Sequence, residues 1–358
     1  MKEDISLETR IIEPCMEFIE RKERVKNRTR DYSKYLEEKR TEIASFIREG
    51  GVIIPRITVI VGTKCTLRCK DCWQLMPYYD APYDIDIKDL LTDLKQLFSI
   101  VDYCVSISIV GGEPFIYPYL DILLQYLIHN EKVGSIELTT NAMRLPNESV
   151  LNQLESDKVS VHISDYGKID AMAEFVKEMD RHHINIHVLV DMKWIDNGNW
   201  KSRNRERSVL SELYLSCRQG KLCKTLLKGK LFDCPRAANL TDLGYADNIN
   251  FLDIHNCDKT DILSFWLKEY TMACDYCDMT VPVKKFVQPA IQVKNQYFER
   301  SSCTIIPRDD YEEIWNANEW YRQQLDNYQK RVKELEEWTC ELQKAKDWLD
   351  EQYNLLIK

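Results

Sequence analysis

The chain has 358 residues, 44% of them hydrophobic and 30% charged, with a formal net charge of −9. That is more than one average domain and enough apolar material for a large core. The negative balance argues against a sequence-independent nucleic-acid binder, whose surface would have to attract phosphates, and no run of about 18 apolar residues is present to span a bilayer.

The opening stretch MKEDISLETRIIEP lacks the apolar core of a signal peptide, so a cytoplasmic protein is expected. In a reducing compartment its 13 cysteines are expected to hold metal rather than form disulfides.

Residues 1–52 are charge-rich, with apolar positions at Met16, Phe18, Ile19, Tyr35, Ile43 and Phe46 that predict a helical N-terminal extension. The basic run Arg21–Arg30 reads most simply as a solvated helix face, with a binding arm as the other reading. Gly50-Gly51 closes this segment and Val52–Pro55 leads into the first strand.

Strands are predicted at Ile57–Val61, Tyr103–Val110, Ser135–Thr140, Val159–Ile163 and Ile184–Val190, with amphipathic stretches between them at Ile87–Phe98, Leu120–Ile128, Glu148–Glu155 and Ile169–Met179. Repeating β-α units imply a parallel sheet whose loops, at the carboxyl ends of the strands, form the site. His182-His183 reads as the exit of a helix and Cys104 as core, and so do Cys15 and Cys257.

Directly after the first strand come Cys65, Cys69 and Cys72, spaced C-x3-C-x2-C. Three thiolates so placed can hold one face of a four-iron cube and leave one iron without a protein ligand. A zinc knuckle is the bland alternative, but it needs four ligands and the loop offers three. Gly111-Gly112-Glu113-Pro114 follows the second strand, Thr139-Thr140-Asn141-Ala142 ends the third, and Ser164-Asp165-Tyr166-Gly167 ends the fourth.

In this order the motifs resemble those of the radical S-adenosylmethionine (radical SAM) superfamily. The resemblance implies an α/β partial (β/α)6 TIM-like barrel over residues 53–200. It implies a 4Fe–4S cluster on Cys65, Cys69 and Cys72 whose free iron takes SAM, and an external one-electron reductant of flavodoxin or ferredoxin type. Gly111, Gly112, Glu113 and Pro114 would face SAM's methionine amino group. Thr140 and Asn141 would lie toward its ribose end, and Ser164 would meet its ribose or carboxylate. Asp165 either caps the next helix or, with Tyr166, faces the substrate.

Past residue 200 the β-α rhythm is lost and Cys217, Cys223, Cys234, Cys257, Cys274 and Cys277 appear. The spacing C-x5-C-x5-G-x4-C from Cys217 to Cys234 reads as a hairpin with a cysteine on each arm and Gly229 at its bend. With the pair Cys274 and Cys277 it resembles the shortened SPASM domain called Twitch, over residues 201–300. That resemblance implies a second, auxiliary 4Fe–4S cluster on Cys217, Cys234, Cys274 and Cys277. A four-thiolate zinc ribbon is the chemical rival. Cys223 is a surplus thiol: an alternative ligand, a hydrogen-atom donor to a substrate radical, or a buried apolar residue.

Residues 309–358 contain no glycine or proline and keep a heptad frame through Leu325, Tyr328, Val332, Leu335 and Leu342. They predict one coiled-coil-like helix for dimerisation or a partner. Twitch-bearing relatives act in sugar, aminocyclitol and surface-polysaccharide metabolism, so the resemblance implies oxidation or epimerisation of a sugar-like small molecule. A SPASM-type peptide maturase and a non-catalytic zinc scaffold are the alternatives.

Overall fold

The computed structural model describes residues 6–26, 32–166, 169–189, 194–282 and 284–293. The heptad tail 309–358 and part of the Arg21–Arg30 run lie outside these residues.

Five strands follow one another in parallel: β1 (Ile53–Ile60), β2 (Tyr103–Val110), β3 (Ile136–Thr140), β4 (Val159–Ser164) and β5 (Ile186–Leu189). Nearly every residue of β1 and β2 is buried, as expected of strands covered on both faces. After two N-terminal helices, α1 (Glu13–Lys26) and α2 (Ser33–Arg48), the crossovers are α3 (Ile87–Ile100), α4 (Leu120–His129), α5 (Glu148–Leu154) and α6 (Ile169–Arg181). Asp86 caps α3 by accepting from the Lys88 amide at 2.8 Å, and Asn147 caps α5 by accepting from Val150 at 2.9 Å. The apolar stripe Leu90, Leu94, Leu97 and Phe98 of α3 is buried, so the predicted helical periodicity is the face that packs.

β1 begins at Ile53, before the predicted Ile57, and contains Pro55. The proline is tolerated because β1's second neighbour joins only at Ile57, leaving residue 55 on an edge where a missing N–H costs nothing.

The remaining elements are β6 (Trp194–Ile195), α7 (Arg207–Ser216), α8 (Arg218–Leu222), β7 (Lys224–Leu227), β8 (Lys230–Phe232), α9 (Pro235–Asp242), β9 (Leu252–Asp253), α10 (Lys259–Trp266) and β10 (Phe286–Val287). The expected break near residue 200 is not a break in the sheet. β7 pairs parallel to β1, and β8 and β9 continue antiparallel beyond it, in the order β5-β4-β3-β2-β1-β7-β8-β9. The sheet is thus α/β and mostly parallel, in the manner of a partial TIM-like barrel, but its sixth parallel strand arrives on the far edge of β1. β6 instead pairs with β10 in a separate ribbon.

The predicted hairpin is present, with a correction. Lys228 and Gly229 both have positive φ, 50° and 70°, as a two-residue hairpin turn with matching twist requires. The cysteines are not on its arms: Cys217 lies between α7 and α8 and Cys234 is the N-cap of α9.

The basic run is likewise not only a solvated face. Lys22 Nζ donates to the Gly134 carbonyl at 2.6 Å, Arg21 approaches Glu137 at 3.9 Å, and the Arg56 guanidinium covers the Phe18 ring at 5.0 Å. These contacts seat α1 on the sheet. Glu137 also pairs with Arg56 at 2.6 Å. His162, 3.7 Å from the same carboxylate, is pushed down to about 4 mainly by burial and so is neutral at physiological pH.

Under the hairpin, Lys224 is 0% exposed. Its ammonium meets Asp233 at 3.1 Å and the Tyr214 hydroxyl at 2.6 Å, among the rings of Tyr214, Phe265 and Trp266. Burial pulls its pKa down to about 8 against the Asp233 charge, while Lys268 supplies Asp233 with a second cation at 2.7 Å. Removing one member of such a pair strands the other in a dry interior. Asp233→Asn is therefore expected to destabilise the fold by about 3–5 kcal/mol in denaturant unfolding; a loss below about 1 kcal/mol would show that Lys224 does not depend on this partner.

Candidate cofactor-binding cavity

The loop after β1 brings Cys65, Cys69 and Cys72 to the wall of one cavity of about 340 Å³. Burial pushes the Cys65 thiol up to about 12 and the Cys69 thiol up to about 11, and it raises Cys72 as well. Opposing that, N–H groups point at the sulfurs: Leu67 N at Cys65 Sγ, 3.4 Å, and Gln292 Nε2 at Cys69 Sγ, 3.3 Å. Backbone amides of Met76, Gln74 and Leu75 do the same for Cys72. Buried thiols supplied with N–H donors suit thiolates that a bound cation has deprotonated. The donor set therefore fits an iron–sulfur centre, with Cys65, Cys69 and Cys72 as its holders. Among the described residues no three Cys, His, Asp or Glu side chains close around the position of a single metal ion.

The Gly111-Gly112-Glu113 turn is bonded to the cysteine loop itself. Gly112 N donates to Gly62 O at 3.1 Å and Glu113 N to Lys64 O at 2.8 Å. A Cβ on Gly112 would overlap the Lys64 carbonyl, so the close approach these glycines permit is to that backbone.

Glu113 is only 2% exposed. Its carboxylate accepts from Thr140 Oγ1 at 2.7 Å, Asn141 N at 2.9 Å and Phe115 N at 3.2 Å, tying the ends of β2 and β3 together while still lining the cavity. Burial lifts its pKa from 4.5 to about 7 despite those donors. Because the folded protein then holds a proton that the unfolded chain releases, this stabilisation is complete below about pH 4.5 and is lost as pH rises through about 7. The metal-free protein is expected to lose about 3 kcal/mol of unfolding free energy across that window, and Glu113→Gln should remove the slope. Parallel pH profiles for the two proteins would refute the assignment.

Thr140, Asn141, Ser164 and Tyr166 also line the cavity. Asn141 accepts from Thr66 Oγ1 at 3.1 Å, which locks the third strand's end onto the cysteine loop. Tyr166 stands edge-on to Trp194, ring centroids 5.6 Å apart. Two expected site residues lie off the lining. Pro114 is buried at the start of a short turn, Pro114–Ile116. Asp165 has its amide on Leu189 O at 3.2 Å, extending the β4–β5 ladder.

Of the three readings of Cys223, its surroundings accord with the buried residue. It is 3% exposed, with its Sγ against Gln219 Oε1 at 3.1 Å and Arg56 and Thr58 beside it. It follows α8 and leads into β7, whose Lys224 pairs with Ile57, so it stands level with the middle of β1, and it is not among the residues that line the cavity. Cys104 and Cys15 are buried, as expected, while Cys257 is only partly so.

Sequence reasoning missed Asp71, Trp73, Gln74, Asn197 and Met279 as lining residues. The first three lie among or beside the loop cysteines, a signal that was available. Asn197 lies just after β6 and Met279 just past Cys277.

The four later cysteines form a second group. Cys217, Cys234 and Cys277 all act electrostatically on Cys274, each raising its pKa beyond the effect of burial. Ala237 N points at Cys234 Sγ at 3.4 Å and Met279 N at Cys277 Sγ at 3.5 Å, while backbone amides of Gly220 and Gln219 reach Cys217. Arg205 Nη1 donates to the carbonyls of Cys274 at 2.6 Å and Cys277 at 2.8 Å. The buried Arg236 donates to Tyr276 O at 3.1 Å. Cys217, and not Cys223, is among the thiols that act on Cys274.

Residues 59–188, from within β1 to within β5, match the Radical SAM superfamily, a family that implies a 4Fe–4S cluster and SAM. No curated protein matches the chain. Among solved structures the chain is similar to Streptococcus suis SuiB bound to S-adenosylmethionine, with 16% identity, a TM-score of 0.37 and coverage of 64% of this chain and 70% of that one. It is also similar to BtrN in complex with AdoMet and 2-DOIA (18% identity, TM-score 0.42, 66% and 98% covered). A third is anSMEcpe with bound AdoMet and the Cp18Cys peptide (14%, 0.41, 64% and 84%). No helix among the described residues is long and apolar enough to cross a membrane.

Proposed function

We propose that this chain is a radical SAM enzyme that oxidises a C–H bond of a sugar or aminosugar, free or nucleotide-linked, using a second four-iron centre on Cys217, Cys234, Cys274 and Cys277. One observation carries the reading: the three loop cysteines, the Gly111–Glu113 turn and the Thr140–Asn141 strand end meet around one cavity. Cys65, Cys69 and Cys72 would hold a four-iron cluster, which when bound would supply the electron for reductive cleavage of SAM.

The chain's own residues bind, orient and shield. Glu113 has lone-pair capacity beyond its three donors for SAM's ammonium, and Asn141 and Ser164 face the ribose side. Trp73, Tyr166 and Trp194 wall the cavity and exclude water from the reactive centre. A polar substrate is supported by buried atoms on the same wall that have no partner: Trp73 Nε1 as donor, Gln74 Oε1 and Asn197 Oδ1 as acceptors. Hydroxyl and amine groups would satisfy them, and leaving them unmet is costly. Burial raises the Asp71 carboxyl, which suits it to the same kind of partner. Oxidation is preferred to epimerisation because Cys223, the thiol offered as a hydrogen donor, lies away from the cavity. Residues 309–358 are proposed as a homodimer or partner helix, and a flavodoxin- or ferredoxin-type protein as the reductant.

The test is anaerobic incubation in deuterated water with SAM, a reductant and candidate aminosugars and nucleotide sugars. Formation of 5′-deoxyadenosine with loss of two hydrogens from the substrate is expected. Deuterium uptake at carbon without that loss would point to epimerisation, turnover of a peptide would overturn the substrate class, and colourless protein containing zinc would overturn the whole reading.

A further inference from the structure

The chain's second half reaches back to the first cysteine loop. Residues 290–293 lie antiparallel to 68–70: Lys70 N donates to Ile291 O at 2.7 Å, Val293 N to Arg68 O at 2.9 Å, and Cys69 faces Gln292. The Gln292 side chain is fixed at three points. Its Oε1 accepts from Arg68 N at 2.6 Å, while its Nε2 donates to Ala290 O at 2.7 Å and to Cys69 Sγ at 3.3 Å. Only an oxygen can accept from the Arg68 amide, so the orientation of the carboxamide is settled by its partners and the NH2 end must face the sulfur.

We propose that Gln292 is a positioning residue for the SAM cluster, which sets its reduction potential by donating an N–H to the Cys69 sulfur. An N–H···S bond disperses negative charge on a ligating sulfur and favours the more reduced, more negative cluster. Cys69 is 8% exposed, so little water competes for that sulfur. The strap also couples the loop to the segment that follows Cys277, and a change there would be felt at the first cluster. The inference rests on the cluster reading above and adds a residue that the C-x3-C-x2-C motif does not contain.

The test is a redox titration of the anaerobic holoenzyme followed by electron paramagnetic resonance, tracking the cluster signal that SAM perturbs. Gln292→Met keeps the length of the side chain and removes the N–H. A more negative midpoint potential at unchanged iron content is expected, and an unchanged potential would overturn the proposal. With 15N-glutamine, a nitrogen coupling to the reduced cluster should survive Gln74→Met and vanish in Gln292→Met. Should Gln292→Met fail to assemble a cluster, that coupling in the Gln74→Met protein still decides: its presence supports the bond and its absence overturns it. Wild-type protein with no SAM-perturbed cluster would instead sink the cluster reading, and this inference with it.

Discussion

Cys69→Ala is expected to abolish SAM cleavage, with 5′-deoxyadenosine falling to the level of iron-free protein. Cys69 is buried between the loop's own turn and the 290–293 strap, and its sulfur has an N–H donor in place. Alanine removes one of the three proposed ligands, and the immediate neighbours Arg68 and Lys70 are cations that cannot ligate iron. Iron should fall from about eight to about four atoms per chain, leaving the second group loaded. The strap's main-chain bonds, Lys70 N to Ile291 O and Val293 N to Arg68 O, do not involve the lost sulfur, so the fold should persist by circular dichroism. Continued production of 5′-deoxyadenosine would mean that the cysteine loop is not where SAM is cleaved.

The contrast between this loop and its strap explains how far the sequence could be read. The three cysteines, the Gly111–Glu113 turn and the Thr140–Asn141 end each follow a strand whose β-branched run is visible locally, and order along the chain alone places all three at one end of a parallel sheet. Glu113 was legible as a site residue but not in its manner of action. That its carboxylate bonds Thr140 and Asn141 depends on the spacing of β2 and β3, which no local pattern encodes. Pairings of greater range were hidden altogether. β7 joins β1 across more than 160 residues, with only four residues to announce it, and its burial on all positions removes the alternation that marks a half-exposed strand. Gln292 stands in a stretch without periodicity, and its role arises only from what it meets. The cysteine arms expected of the hairpin failed for a related reason: spacing fixed the bend at Gly229 but could not tell a long hairpin from a short one flanked by helices.

The second large effect separates cleavage from turnover. Cys274→Ala is expected to leave 5′-deoxyadenosine formation intact while substrate oxidation falls to background, with iron again near four atoms per chain. Cys274 lies in the turn Met272–Tyr276, whose Asp275 accepts from the amides of Arg203, Asn204 and Arg205 and from the Ser202 hydroxyl. That frame holds the turn without the thiol, so the variant should lose a ligand rather than a domain. Met279, two residues past Cys277, lines the cavity that the three loop cysteines share. The proposed oxidation would leave an electron to be disposed of once a hydrogen atom is removed, and a second centre on the four later cysteines would be its acceptor. Cys223→Ala, in contrast, should change neither activity, because that thiol does not line the cavity. Were Cys223→Ala to halt turnover while Cys274→Ala did not, hydrogen return by a thiol would replace electron removal as the second half of the reaction.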